Sequence, residues 1–111
     1  MNLQNMTIIR PDWDTQAFCL LYDGKYILVS YDTAICSVHD NGKAIVVEFN
    51  PCYRQSVTTS RHFRWFIMRV IPYYMLRKMQ EFPKCKMRST REFMDYFGTR
   101  TEIPYEETRT S

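Results

Sequence analysis

The sequence predicts an α+β protein, in which a three- to four-stranded antiparallel β-meander precedes a long proline-kinked helix and a short C-terminal helix. Glycine-containing turn signals between short β-rich runs predict the meander, and an amphipathic stripe beyond residue 60 predicts the long helix. At 111 residues the chain is long enough for one core. We therefore expect a single domain over residues 1–98 and a flexible acidic tail over 99–111.

The predicted meander rests on two hairpins. Asp23-Gly24 joins runs 17–22 and 25–31, and Asn41-Gly42 joins runs 34–39 and 43–49. Both dipeptides favour type I′ turns, whose two central residues need positive φ. A weaker turn at Asp32-Thr33 links the hairpins. Both faces of these runs are largely apolar, so periodicity does not indicate which face is covered. The strand order also stays open.

The helical part begins after a polar linker. Its apolar stripe has the spacing i, i+3, i+4, i+7 and i+11, formed by Phe63, Phe66, Ile67, Val70 and Tyr74. Pro72 lacks a backbone donor and is expected to kink or divide the helix near residues 70–71. The second helix is predicted from the capping box of Ser89 and Glu92, and Gly98 is its expected C-cap.

The four cysteines do not have the spacing of a metal site. Zinc sites usually contain close pairs, whereas Cys19, Cys36, Cys52 and Cys85 are separated by 17, 16 and 33 residues. We expect free thiols, no metal and no cofactor, with Cys19 and Cys36 as small core residues. The N-terminus lacks a secretory signal and no apolar run is long enough for a membrane span, so we expect a cytoplasmic protein with no membrane partner.

Charge is strongly segregated along the chain. Residues 1–53 carry a net charge of −3, residues 54–91 carry +9, and residues 92–111 carry −3. Basic side chains neutralise phosphates, and exposed aromatic rings stack on unpaired bases. The block therefore predicts binding to nucleic acid, with RNA favoured, or to a ribonucleoprotein. The candidate residues are Arg61, Arg64, Trp65, Arg69, Tyr73, Arg77, Lys78, Lys84, Lys86, Arg88 and Arg91. The alternative is a solvated helix face whose charges pair with the acidic segments.

A smaller anion site is predicted at the start of the long helix. Hydroxyl and amide groups at a helix N-terminus attract phosphate or carboxylate groups. The residues proposed for it are Thr59, Ser60, Arg61 and His62. The alternative is an ordinary N-cap formed by Thr59 or Ser60, with nothing bound.

No catalytic motif is present, and we expect the protein not to be an enzyme. The chain has no P-loop, no Ser/His/Asp order and no paired carboxylates. A small nuclease that uses His39 and His62 remains a third hypothesis.

Trp13, beside Asp12 and Asp14 in a predicted turn, is expected to pack back on the core.

Part of the chain resembles small, uncharacterised bacteriophage and prophage proteins. The resemblance covers about residues 26–67 and rests on a Ser-Tyr-Asp-Thr-Ala-Ile strand at 30–35, a glycine turn at 41–43, and Ser-Val-Thr-Thr-Ser-Arg-His at 56–62. The chain departs from that pattern by inserting Arg54-Gln55 between Tyr53 and Ser56 and by adding the basic region 73–91. The resemblance implies a mobile-element origin and the cytoplasm of an infected bacterium, and it carries no activity.

Besides the small nuclease, two functions from different classes account for these features. The preferred one is a non-enzymatic binder of nucleic acid or ribonucleoprotein that inhibits a CRISPR–Cas or other host defence nuclease in an anti-CRISPR manner. The alternative is a protein–protein interaction or structural module that docks through exposed Trp65, Tyr73 and Tyr74. Salt separates the two, because phosphate binding weakens with added salt and apolar docking does not.

Overall fold

The computed structural model describes residues 6–51, 57–81, 97 and 99–105. These residues form an antiparallel sheet of six strands whose spatial order follows the sequence. The strands are β1 (Met6–Ile9), β2 (Ala17–Tyr22), β3 (Lys25–Ser30), β4 (Thr33–Asp40), β5 (Ala44–Phe49) and β6 (Arg100–Pro104). The helical elements are α1 (Val57–Trp65), a π-helical turn (Phe66–Val70) and α2 (Tyr73–Glu81). The α+β class is therefore confirmed.

The sheet is larger than the three to four strands predicted. β1 extends it beside β2, and β6 extends it beside β5. Strand β6 lies in the segment expected to be a flexible tail, so that expectation is wrong for residues 100–104; residues 106–111 lie outside the described part. Of the five residues of β6 only Ile103 is buried, which is why apolar content did not reveal an edge strand.

The hairpin turns follow the glycine signals in part. Asp23 and Gly24 both have positive φ, 50° and 76°, as a type I′ turn requires. In the turn after β4, positive φ occurs at Gly42 alone (89°), so the type I′ expectation is wrong there. The turn between β3 and β4 has positive φ at Tyr31 and Asp32, one residue earlier than predicted.

Pro72 divides the helical layer, as predicted. The amide of Ile71 donates to the carbonyl of Phe66 at 3.0 Å, which closes a π turn, and Ile71 itself is extended. The wider turn and the break move the buried face by about one residue. Ile71 and Met75 are therefore buried, whereas Val70 is half-buried and Tyr74 is exposed.

The core lies between the helical layer and one face of the sheet. Phe63, Phe66 and Ile67 are almost completely buried against sheet residues such as Leu28 and Val47. Phe97 is buried in the same core, and the rest of the predicted second helix lies outside the described residues. No helix in the described ranges is long and apolar enough to cross a bilayer.

Two of the four cysteines belong to this core. Cys19 and Cys36 are buried free thiols, which confirms their predicted role. Burial raises the pKa of Cys19 to about 12 and raises that of Cys36 as well, so neither is a reactive thiolate at neutral pH. Cys52 and Cys85 lie outside the described residues. Within the described ranges, no three His, Cys, Asp or Glu side chains cluster as metal ligands would.

Candidate nucleic-acid interface

His62 is a completely buried polar side chain of α1 and connects three elements. It has an exposed fraction of 0%. Its Nε2 donates to Oδ2 of Asp14 over 2.6 Å, since a carboxylate only accepts. Its Nδ1 lies 2.7 Å from Oγ of Ser30, whose hydroxyl donates when the ring is neutral. The imidazole thus joins α1 to the end of β3 and to the turn before β2.

Asp14 is the fixed end of this connection. The pKa of its carboxyl is lowered, first because His62 donates to it and second because the amide of Gln16 donates to Oδ1 over 2.7 Å. The group is therefore ionised at neutral pH. The bond from Gln16 closes the turn locally, and the bond from His62 holds that turn on α1.

Ser30, His62 and Asp14 are the residue types of a hydrolase triad, but their arrangement is that of a structural network. The exposed fraction of Ser30 is 3%, so a substrate carbonyl has no access to its hydroxyl. The rings of Trp13 and Tyr31 lie over the imidazole, with centroids 5.9 Å and 5.6 Å away. The network therefore fixes the position of its neighbours.

The neighbour that matters most is Trp13. Instead of packing back on the core, as the sequence suggested, its side chain is 55% exposed. It lines an open groove of about 820 Å³ on the outer surface of α1. The other lining residues share one helix face and continue into the π turn: Arg61, Arg64, Trp65, Met68 and Arg69. The groove thus exists because Asp14 and His62 hold the Trp13 turn against α1.

The groove is basic. In the described ranges, no carboxylate lies within salt-bridge distance of the guanidinium groups of Arg61, Arg64 or Arg69. All three side chains are exposed. Cations without internal partners keep their full charge for a ligand, and the indoles of Trp13 and Trp65 provide flat apolar surfaces beside them.

The predicted interface residues on α2 do not join this groove. Arg77 forms a 2.9 Å ion pair with Glu81 on α2, and Lys78 donates to the carbonyl of Tyr105 at 3.3 Å. Tyr73 is 72% exposed, also on α2, and does not line the groove. Lys84, Lys86, Arg88 and Arg91 lie outside the described residues. Of the candidate residues, Arg61, Arg64, Trp65 and Arg69 therefore lie together along the groove.

The four residues of the predicted anion site do not face one ligand. Thr59 and His62 are buried, whereas Arg61 is exposed on the outer side of α1. Both ring nitrogens of His62 are engaged by Ser30 and Asp14, so the imidazole has no donor left for an external anion. Ser60, which is half-buried, and Arg61 are the members that remain accessible.

The two histidines occupy opposite ends of the sheet. His62 contacts Ser30, which pairs with Thr33 at the start of β4, whereas His39 lies near the end of that strand. Six strand residues span about 20 Å. The two imidazoles therefore cannot act on one phosphate, and the geometry argues against the two-histidine nuclease.

Comparison with known proteins assigns the chain to a family. The comparison with curated proteins gave no significant match, and neither did the comparison with solved structures. A family model described as a family of unknown function, DUF8033, matches residues 1–82, which include the Trp13 turn, the sheet through β5 and both helices. The chain therefore belongs to the DUF8033 family.

Proposed function

We propose that this protein is a non-enzymatic nucleic-acid-binding protein that holds a single strand, with RNA favoured, in the groove between Trp13 and α1. One observation carries the proposal: three guanidinium groups, none within salt-bridge distance of a carboxylate among the described residues, converge with two indoles on one open surface. Guanidinium groups bind phosphates, and indoles stack on bases that are not paired. A duplex hides its base faces, which favours a single strand.

The biological setting is part of the same proposal. The resemblance of residues 26–67 to bacteriophage and prophage proteins supports a mobile-element protein that works in the cytoplasm of an infected bacterium. There it would bind the guide or substrate strand of a CRISPR–Cas or other defence nuclease. A small binder needs no catalytic group for this, because a strand held in its groove is not available to the nuclease.

The first test is a titration with a short fluorescent single-stranded RNA at low salt, with the matching DNA strand as a second ligand. Replacing Arg61, Arg64 and Arg69 together by Gln is expected to lower the affinity at least about tenfold. It is also expected to reduce the salt dependence by about 0.7 in log–log slope for each phosphate that the variant no longer neutralises.

The matched control is Arg77→Gln, which neutralises an exposed helical arginine outside the groove. It is expected to leave affinity nearly unchanged. Equal losses in the triple variant and the control would reject the groove as the site. Absence of wild-type binding to either strand at low salt would reject the proposed function itself.

A protein-docking role is the second candidate, and the 72% exposure of Tyr73 favours it. In that case binding to the partner persists or strengthens as salt is added, because apolar contacts dominate. Tyr73→Ala would then weaken binding while the triple arginine variant would not. The opposite pattern supports the nucleic-acid function.

A further inference from the structure

A second polar cluster lies at the other end of the sheet, around Asp40. Its Oδ2 accepts hydrogen bonds from the hydroxyls of Tyr74, at 3.2 Å, and Tyr105. Its Oδ1 accepts the amide of Gly42 at 2.8 Å. The carboxylate is thus held in place by α2, by the residue after β6, and by its own turn.

This cluster forms one wall of a small cavity that is open to the surface. The cavity has a volume of about 390 Å³ and is lined by Gly24, Tyr26, Asp40, Gly42, Tyr74 and Met75. Two tyrosine rings and one carboxylate therefore border a space large enough for a small organic group. The two glycines, with positive φ in the adjoining turns, carry no side chain that would fill it.

The electrostatics of the cavity favour a cation. The hydrogen bonds from Tyr105 and Gly42 lower the pKa of Asp40, so it is ionised at neutral pH. Burial, followed by the neighbouring Asp40, raises the pKa of both Tyr74 and Tyr105, so both phenols stay neutral. Because these hydroxyls donate to Asp40, their oxygen lone pairs remain available as acceptors. Ring faces and a carboxylate attract the same kind of ligand.

The chain itself places one ammonium group on this cluster. Nζ of Lys78 lies 5.6 Å from the ring centroid of Tyr105 and donates to the carbonyl of that residue. This geometry is that of a cation–π contact. The contact shows that the cluster attracts a cation. Because Tyr105 does not line the cavity, Lys78 leaves the space beside Tyr26 and Tyr74 available.

We propose that the cavity bounded by Tyr26, Asp40 and Tyr74 binds an alkylammonium group, supplied by a free amine or by a lysine side chain of a partner protein. The site lies at the end of the sheet opposite the basic groove and is independent of the proposed nucleic-acid function. The ligand of the cavity is a cation, whereas the ligand of the groove is an anion. A single molecule would then present one anion-binding and one cation-binding surface.

The test is an NMR titration of the full chain with n-butylammonium chloride, with n-butanol as the neutral probe of similar shape. Saturable shifts at the amides of Gly24, Gly42 and Tyr74 are expected for the ammonium, with a dissociation constant of about 1–10 mM. n-Butanol is expected to produce none. Equal binding of both probes, or no saturable shifts with the ammonium, would overturn the proposal.

Two Asp→Asn variants assign the charge that matters. Asp40→Asn keeps an oxygen for the amide of Gly42 and is expected to weaken ammonium binding at least about fivefold. The matched control, Asp23→Asn, removes a carboxylate from the neighbouring turn at a positive φ that Asn tolerates, and is expected to change little. Should Asp40→Asn fail to fold, Tyr74→Ala at an exposed position replaces it. Unchanged binding in the variant that is tested would overturn the site.

One further ligand distinguishes the sources. A Gly-Lys-Gly peptide with blocked ends carries the same ammonium group on a protein-like backbone. Binding at least about tenfold tighter than that of n-butylammonium supports a lysine of a partner protein. Binding no tighter than that of the free amine supports a small amine as the ligand.

Discussion

The two ends of the sheet contain the same local motif, a turn closed by an aspartate side chain, in two different roles. At one end Asp14 accepts hydrogen bonds from the amide of Gln16, two residues later, and from the side chain of His62 on α1. At the other end Asp40 accepts hydrogen bonds from the amide of Gly42, again two residues later, and from the side chain of Tyr74 on α2. Both are aspartate turns joined to the helical layer.

The difference lies in the helical partner. His62 has an exposed fraction of 0%, whereas Tyr74 is 47% exposed. A buried partner turns the aspartate into a structural tie, and the ligand-binding surface then forms beside it. A partner at the surface leaves the aspartate itself next to the cavity. Burial of the helical side chain therefore decides the role of the aspartate turn. Beside a buried partner the turn positions a neighbouring binding surface, and beside an exposed partner the aspartate itself borders the binding surface.

The largest expected effect is at the buried end. His62→Ala removes a fully buried ring and leaves the hydroxyl of Ser30 and the carboxylate of Asp14 without that partner. We expect a loss of about 3 kcal/mol in the free energy of unfolding, measured by urea denaturation. Tyr73→Ala, at a 72% exposed position of the same layer, is the control and is expected to cost less than about 0.5 kcal/mol. Similar losses in both variants would contradict the structural tie.

An intermediate effect is expected in acid, at both ends. The pKa values of Asp14 and Asp40 are lowered in the folded state, so each group contributes stability above the unfolded pKa of about 3.9. That contribution is lost as the pH falls through the lower folded value. Unfolding free energies measured across this window should fall less steeply in Asp14→Asn and in Asp40→Asn than in the parent. If the slope in either variant is identical to that of the parent, the carboxylate replaced in that variant does not contribute to the loss of stability in acid.

The smallest expected effect separates the ends at alkaline pH. The pKa values of Tyr74 and Tyr105 are raised in the folded state, so their contribution is complete below the unfolded value of about 10 and is lost as the pH rises above it. Tyr74→Phe should therefore make stability less dependent on pH above about pH 10. Asp14→Asn, at the other end, should leave the alkaline dependence as it is in the parent. A change of equal size in both variants would remove this distinction.

The sequence predicted what depends on local spacing. Asp23-Gly24 located a hairpin, and the proximity of Arg61, Arg64 and Trp65 on α1 followed from helical periodicity. The partners of His62 were missed because they lie 48 and 32 residues away, and no local pattern connects them. The place of Trp13 was missed for the same reason, since the hydrogen bond between Asp14 and His62 brings its turn to α1. Edge strands were missed because few of their residues are buried.

The π turn at Phe66–Val70 has a consequence for both ends of the molecule. An uninterrupted α-helix would continue the buried stripe through Tyr74 and draw its phenol into the hydrophobic interior. The extra residue rotates the second half of the layer, so that Met75 takes the interior position and Tyr74 reaches Asp40. The same turn carries Met68 and Arg69 at the edge of the groove. Removing one residue from it would therefore be expected to disturb two distant surfaces at once.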